Sequence, residues 1–546
     1  MSHNWKITTS LKSTSLKDRH QEIMNSLLKQ RGLTTKKLQQ DFFAPPTPQK
    51  IKPSDAGIKT AELKKAITRI NKAKKNQELI YIYGDYDADG VSATSILWES
   101  LYRLGINAMP YIPTREDKTR GLSKLGIDQI IDQAGTKPDL IITVDNGITS
   151  FKACQYAKTQ NIDIIITDHH QPKKDKLPKV KAIVHSTDLA GAGVAWFLAY
   201  QLDKQATNSL DITALGTIAD MVPLLKANRS LAKFGLAALK KSARPGVQAL
   251  AQTANIQLED LQAYQVGYTL APRLNAMARL EHAIDSVRLL CTKDQNKANN
   301  IARTLENTNL DRQNLTTDMI KHAETQVDKT KKLIFIADKS YHEGIVGLVA
   351  GRLMEKFHRP AVVMAVGKTH SKASARSIDK FNVVKAFEKL KVDIVSFGGH
   401  PLAGGLTMMT KDIAKVRKQL EAMAEKQLKQ EDLVKTLDID CQISLKDINQ
   451  DLFDQLEKFK PFGMNNPDPV FATKQVNLTS FRPVGQNQTH LKLKVEDFDA
   501  IAFNQGYLAE KLIQGQPVDI CYTIDQNQWQ GKTNLQLKIK SINFLN

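Results

Sequence analysis

Three aspartates stand at alternate positions in YIYGDYDADGVSAT, residues 81–94: Asp85, Asp87 and Asp89. Asp145 follows in DLIITVDNG, the run Asp168-His169-His170 in IDIIITDHH, and Asp220 in ALGTIADMVPLL. Carboxylates gathered in one place repel one another and are tolerated when a cation neutralises them. Oxygen ligands with an occasional imidazole suit Mn²⁺ or Mg²⁺ better than a metal that prefers thiolate. Asp-x-Asp in an extended segment points both side chains the same way. An acid shared between two ions would hold them about 3.5–4 Å apart, a geometry that serves in-line hydrolysis of a phosphate ester. Alone, DYDADG reads equally as a calcium loop or a solvated turn, and His-His is a weaker sign still. The four motifs together point to a catalytic metal centre.

Such a centre needs elements that bring distant segments to one place. ELIYIYG, DLIITVDNG and IDIIITDHH each read as a buried strand ending abruptly in polar residues. Strands alternating with helical segments imply βαβ units and a parallel sheet, whose carboxyl ends share one edge, the edge where such folds bind ligands. All four motifs are therefore expected on strand ends, with Asp220 closing the ring. The predicted organisation is α/β and multidomain. Residues 1–75 form a lysine-rich N-terminal appendage broken by APPTPQKIKPSDAG, 76–225 the parallel-sheet domain and 226–332 a long helical connector. A second α/β domain follows over 333–428, and the short alternating runs of 435–546 suggest a β-barrel.

The chain has 546 residues, with 77 Lys and Arg against 57 Asp and Glu, a net charge of +20 that favours polyanionic partners such as nucleic acid. Excess lysine that merely aids solubility is the plainer alternative. With 41% hydrophobic and 25% charged residues the composition is that of globular protein. No apolar run is long enough to span a bilayer, so a cytoplasmic protein with no membrane partner is expected. Cys154, Cys291, Cys441 and Cys521 lie far apart without a CxxC pair, which argues against a zinc site or a disulfide framework.

GDYDADGVSAT, TVDNGITS, TDHHQP and ALGTIADMVPL resemble the four successive motifs of the DHH phosphoesterase superfamily. LAGAGVAWFLA, APRLNAMARL, YHEGIVGLVAGRL, SARSI, FGGHPLAGG, KPFGMNNPDPVF and LQLKIKSI are similar, in order and spacing, to its RecJ branch of single-strand-specific exonucleases. The resemblance runs from about Ile80 to Ile542. It implies that Asp89, Asp145, His169 and Asp220 hold one metal ion and that Asp87 and Asp145, with Asp85, hold a second. Asp145 would be the bridge, with His170 close to the scissile phosphate; Asp85 stands as a ligand, a support for one, or a base that orients water.

Small residues around Ser374, Arg376 and Ser377, and glycines flanking His400, would let backbone amides approach a phosphate while Arg376 forks onto it. The resemblance implies a DHHA1 domain here, in which Ser374, Arg376 and His400 contact the substrate's 5′ end. Arg273, Asn275 and Arg279 would line the strand path, with Arg115 matched in a nearby loop. The C-terminal barrel resembles an OB-fold, where Phe471, Phe481, His490, Lys492 and Trp529 are candidate strand contacts. Three positions depart from the family pattern: Ala278 for a glycine, TREDKTRGLS without the usual aromatic, and His185-Ser186 for Asn-Pro.

The expected protein is a monomeric 5′-to-3′ exonuclease of single-stranded DNA that uses two Mn²⁺ or Mg²⁺ ions, and the resemblance implies 5′-mononucleotide products and service in recombination and repair. Single-strand-binding protein and a DNA helicase are the partners implied. Two other readings are a phosphodiesterase of short or cyclic oligonucleotides, against which the connector and barrel argue, and a DNA-binding relative without metals, which the intact acids oppose.

Overall fold

The computed structural model describes residues 4–113, 121–173, 176–529 and 531–544. Its strands, in chain order, are β1 (Asn4–Ser10), β2 (Ile80–Gly84), β3 (Ala108–Tyr111), β4 (Leu140–Val144), β5 (Asp163–Asp168) and β6 (Ala182–His185). They continue with β7 (Ile334–Asp338), β8 (Ala361–Ala365), β9 (His370–Arg376), β10 (Ile394–His400) and β11 (Ala403–Met409). The last six are β12 (Thr436–Gln442), β13 (Phe471–Val484), β14 (His490–Val495), β15 (Phe498–Ala502), β16 (Pro517–Trp529) and β17 (Lys532–Phe544).

The first sheet has the order β3-β2-β4-β5-β6 with every pairing parallel, as the apolar runs led us to expect. Alternate residues serve two cores. Ile80, Ile82, Leu140, Ile142 and Val144 pack with the helices Ala88–Arg103, Gly191–Leu202 and Leu210–Ala219. Tyr81, Tyr83, Ile141, Ile164 and Ile166 face the helices Lys124–Ala134 and Phe151–Thr159. Because the sheet is covered on both sides, β2 and β4 are buried at every residue.

The helices after Lys226 do more than connect. Leu231, Val247, Leu274, Leu290 and Leu305 belong to the same core as the first sheet. A 31-residue helix, Gln295–Thr325, then carries the chain to the second α/β unit. There the sheet order is β10-β11-β9-β8-β7, with β7 and β8 parallel and the rest antiparallel. In the C-terminal unit β13-β14-β15-β17-β16 form a five-stranded barrel, closed by pairing of β13 with β16.

Residues 4–75 are not set apart as an appendage but pack against two other units. Strand β1 pairs in parallel with β12 at the barrel's side, Asn4 opposite Thr436. The helix Leu16–Gln30 places Ile23 and Leu27 in the barrel's core cluster, whereas Leu63, Ala66 and Ile70 of Thr60–Lys75 pack in the first sheet's core. Lysine richness conceals this, because only one stripe of each helix is apolar.

Candidate metal centre

The chain turns out of β2 at Gly84, and Asp87 caps the helix Ala88–Arg103 by accepting from Asp89 N and Gly90 N at 3.0 and 3.1 Å. Cap and helix dipole both favour a carboxylate there. Asp89, in the first turn, reaches a second helix start: Oδ2 accepts from Gly191 N at 2.6 Å and Oδ1 from Ala192 N at 2.8 Å. Asp145 leaves the end of β4 with φ +63° and is fully buried. Its neighbour Asn146 donates to the carbonyls of Tyr83 and Val144, so the turn is tied to β2.

Asp168 closes β5 and positions the two histidines after it. Its Oδ1 accepts from the backbone of His169 and His170 and bonds His170 Nδ1 at 2.8 Å, while Oδ2 accepts from Ile148 N. Burial opposes the Asp168 charge, but the His170 hydrogen bond and positive charge outweigh it and leave the pKa below the usual range. In return, the Asp168 bond pushes His170 up to about 9 against the effect of burial. The bond to Asp168 thus favours the protonated form of His170 beside the acids.

His169 is the opposite case. Burial, then the charge of His170, lower it to about 4. Its Nε2 lies 3.1 Å from Asp145 Oδ1, 3.6 Å from Asp220 Oδ2 and 4.0 Å from Asp89 Oδ2. Both Asp145 Oδ1 and His169 Nε2 are buried without a hydrogen-bond partner. Such orphaned atoms are costly unless something else satisfies them. Burial first, then the neighbouring carboxylates, raise Asp89 to about 7, Asp220 to about 9 and Asp145 well above the ordinary range.

Divalent cations fit this place. Donor atoms of Asp89, His169 and Asp220 lie within 4.8 Å of one another, as do those of Asp85, Asp87 and Asp145 and those of Asp145, His169 and His170. The space is kept by glycine: a Cβ on Gly191 would stand 2.5 Å from Asp145 Oδ1, and one on Gly216 would stand 2.7 Å from Asp89 Oδ1. Asp220 arrives differently from the expectation. It is the C-cap of the helix Leu210–Ala219 and not a strand end, because LDITALGTIA is apolar all round and periodicity cannot separate a buried helix from a buried strand. Asp168 and Gly191 were missed as site residues. Their signals were an acid directly before two histidines and the small-residue run LAGAG.

In the second α/β unit, Arg376 Nη1 donates to Ser374 Oγ at 3.1 Å, both side chains on one face of β9. The register sets His400 opposite Ala403 and Ala403 opposite Arg376, so His400 and Arg376 share a row across three strands, roughly 10 Å apart. Ser374 lies opposite Gly405, and Gly405 opposite Gly398, which leaves the sheet bare beside the hydroxyl.

Of the expected strand-path residues, Arg279 donates to Gly344 O at 2.9 Å and Asn275 Oδ1 accepts from Ala88 N at 2.7 Å. The side chain of Asn275 thus supports the acidic loop. Arg273 corrects the expectation: it is buried, with its guanidinium on both oxygens of Glu306 and on Thr269 O. A paired guanidinium has no fork free for phosphate. Arg115 lies outside the described residues, as does the side chain of Trp529. In the barrel Phe471 is core, while Lys492 is exposed and Phe481 and His490 are half-buried.

Comparison with known proteins follows this division. Residues 79–217 match the DHH family, N-terminal domain, 329–426 the DHHA1 domain and 439–541 the RecJ OB domain. The single-stranded-DNA-specific exonuclease RecJ of Bacillus subtilis (strain 168) is 35% identical over 497 residues, 88% of this chain and 63% of that protein, so this chain spans less than two thirds of its length. RecJ of Haemophilus influenzae is 30% identical over 523 residues, 88% of this chain and 90% of its own. The crystal structure of RecJ in complex with Mn²⁺ from Thermus thermophilus superposes with a TM-score of 0.83 at 27% identity, covering 100% of this chain and 80% of that one. The sequence motifs, the three domains in this order and the ring of acids agree: the chain belongs to the RecJ family.

Proposed function

We propose that the chain is a metal-dependent exonuclease that removes 5′-mononucleotides from the 5′ end of single-stranded DNA. One observation carries the reading: Asp145 Oδ1 and His169 Nε2 are buried, lack hydrogen-bond partners and face Asp89 and Asp220. Asp89, Asp145, His169 and Asp220 would hold one Mn²⁺ or Mg²⁺, and Asp85, Asp87 and Asp145 the other. Ions bound there supply an acidified water and neutralise charge on phosphate oxygens.

The chain's own residues position the substrate. His170, whose charged form the Asp168 hydrogen bond favours, presents its ring to a phosphate oxygen whose negative charge grows during cleavage. Ser374, Arg376 and His400 take the 5′ phosphate, with Gly398 and Gly405 giving it access to backbone. Gripping that end defines a 5′-to-3′ direction. Arg279, through Gly344, and Asn275, through Ala88, fix the distance between the end-binding site and the acids. A single-strand-binding protein and a DNA helicase would supply such strands to a monomeric, cytoplasmic enzyme of recombination and repair.

The test offers 5′-labelled single-stranded DNA, duplex DNA, RNA and cyclic dinucleotides with Mn²⁺. Mononucleotides should come from the single strand, and Asp145→Ala should lower the rate about 10²- to 10³-fold. No release from single strands would overturn the activity; an unimpaired variant would overturn the residue assignment.

A further inference from the structure

Between the parts that match family domains, at 79–217 and 329–426, lies a feature to which no role has been given so far. Tyr264 and Tyr268 are 68% and 66% exposed, and their rings stack on each other with centroids 4.7 Å apart and planes 23° from parallel. Two large rings left in water on one helical turn are an unusual use of aromatic surface, since burying such a ring is favourable by kcal/mol amounts. The pair lies on a continuous helical run, Ala263–Gln265, a π-turn Val266–Leu270 and Ala271–Leu280. π-turns are rare and concentrate at functional sites.

The run leads directly to the acids. Gly267, between the tyrosines, is open enough that a Cβ there would stand 4.0 Å from Ile218, two residues before Asp220. Asn275, seven residues past Tyr268 and so about 10 Å along a helix, accepts from Ala88 N in the acidic loop. Arg279 continues the run to Gly344 beside the second α/β unit. The paired rings are thus joined by one helical run both to the acidic loop and to the second α/β unit.

We infer that Tyr264 and Tyr268 form a stacking platform for bases of the single strand next to the metal centre. The inference rests on the single-strand exonuclease reading. Every base has a π-face, so such a platform holds a strand without reading its sequence. It is uncharged and complements the phosphate contacts, which hold the backbone and not the bases.

The experiment compares wild type, the double variant Tyr264→Ala/Tyr268→Ala and the double variant Tyr264→Phe/Tyr268→Phe. Substrates are an intact oligonucleotide and one made of abasic residues behind its first few nucleotides. Binding of both strands is followed in parallel by fluorescence anisotropy in EDTA. The alanine variant should raise KM and weaken binding of the intact strand about tenfold or more, with kcat within twofold. The phenylalanine variant should restore both, and the abasic strand should erase the difference between wild type and alanine variant. Unchanged KM and binding in the alanine variant overturn the platform and leave the pair to a protein partner. An equal deficit on abasic strands also overturns it. A wild type that cleaves no single strand refutes the exonuclease reading instead, while the anisotropy arm still decides whether the rings stack bases.

Discussion

Asp145, Asp89 and Asp220 share one electrostatic problem. Their folded-state pKa values lie above the ordinary carboxylate value because burial and mutual repulsion disfavour charge. At these three groups the metal-free folded chain therefore binds more protons than the unfolded chain, and their contribution to stability falls as pH rises, opposed only below about pH 6.5 by His169, whose pKa is lowered. The loss begins above the unfolded carboxylate value near 4 and extends through the folded values of about 7 for Asp89 and about 9 for Asp220. Cations remove the repulsion only where the acids are ionised. We expect the melting temperature in EDTA to drop between pH 5 and about pH 9, and added Mn²⁺ to raise it more at pH 8.5 than at pH 6, as read by calorimetry.

Helix starts do most of the positioning. The helix Ala88–Arg103 begins on Asp87, and the helix Gly191–Leu202 donates its first two amides to Asp89. Two orphan donors at each helix start thereby become fixed positive ends aimed at the acids. Their close approach depends on Gly191, whose missing Cβ leaves room for the Asp145 carboxylate. Gly191→Ala should keep the fold, since alanine suits a helix start. It should weaken Mn²⁺ binding about 10- to 100-fold by displacing that carboxylate, a change of the size seen when the supports of ligands are altered; titration calorimetry measures it. The element boundaries explain what was legible here. Strands β2, β4 and β5 were visible because apolar runs end on acids. The helix that delivers Asp220 was not visible as a helix, because an element buried all round loses its periodic signature.

Across the whole molecule, the barrel is joined to the first domain through a buried cation. Arg229 donates Nε to Phe42 O at 2.6 Å and Nη2 to Lys460 O at 3.1 Å, and its guanidinium lies 3.6 Å from the centre of the Phe42 ring. Burial first, then Arg31, lowers it to about 10, so the contact holds a desolvated charge against carbonyls from two distant segments. Nearby, Leu224 N donates to Met464 O across the same junction. Arg229→Ala leaves those carbonyls without a donor and should cost about 2 kcal/mol. The expected readout is a lower urea midpoint together with faster proteolytic nicking between the first domain and the barrel.

Residue types and local spacing were enough to determine the ring of acids, its preference for hard cations, the parallel sheet behind it and the closing barrel. Each of these is written within a few residues of chain, as an apolar run, an Asp-x-Asp or an alternating strand. Tertiary structure decided the questions that depend on partners far away in sequence. Arg273 has the same charge as Arg279, yet Glu306, 33 positions on, makes it structural. Residues 4–10 read as a tail until β12, more than four hundred positions later, pairs with them. His169 and His170 are adjacent and identical in type, but the Asp168 hydrogen bond favours the charged form of one and burial the neutral form of the other. The physical reason is common to all three: charge, burial and pairing are properties of the surroundings a side chain meets after folding, and its neighbours along the chain are only part of them.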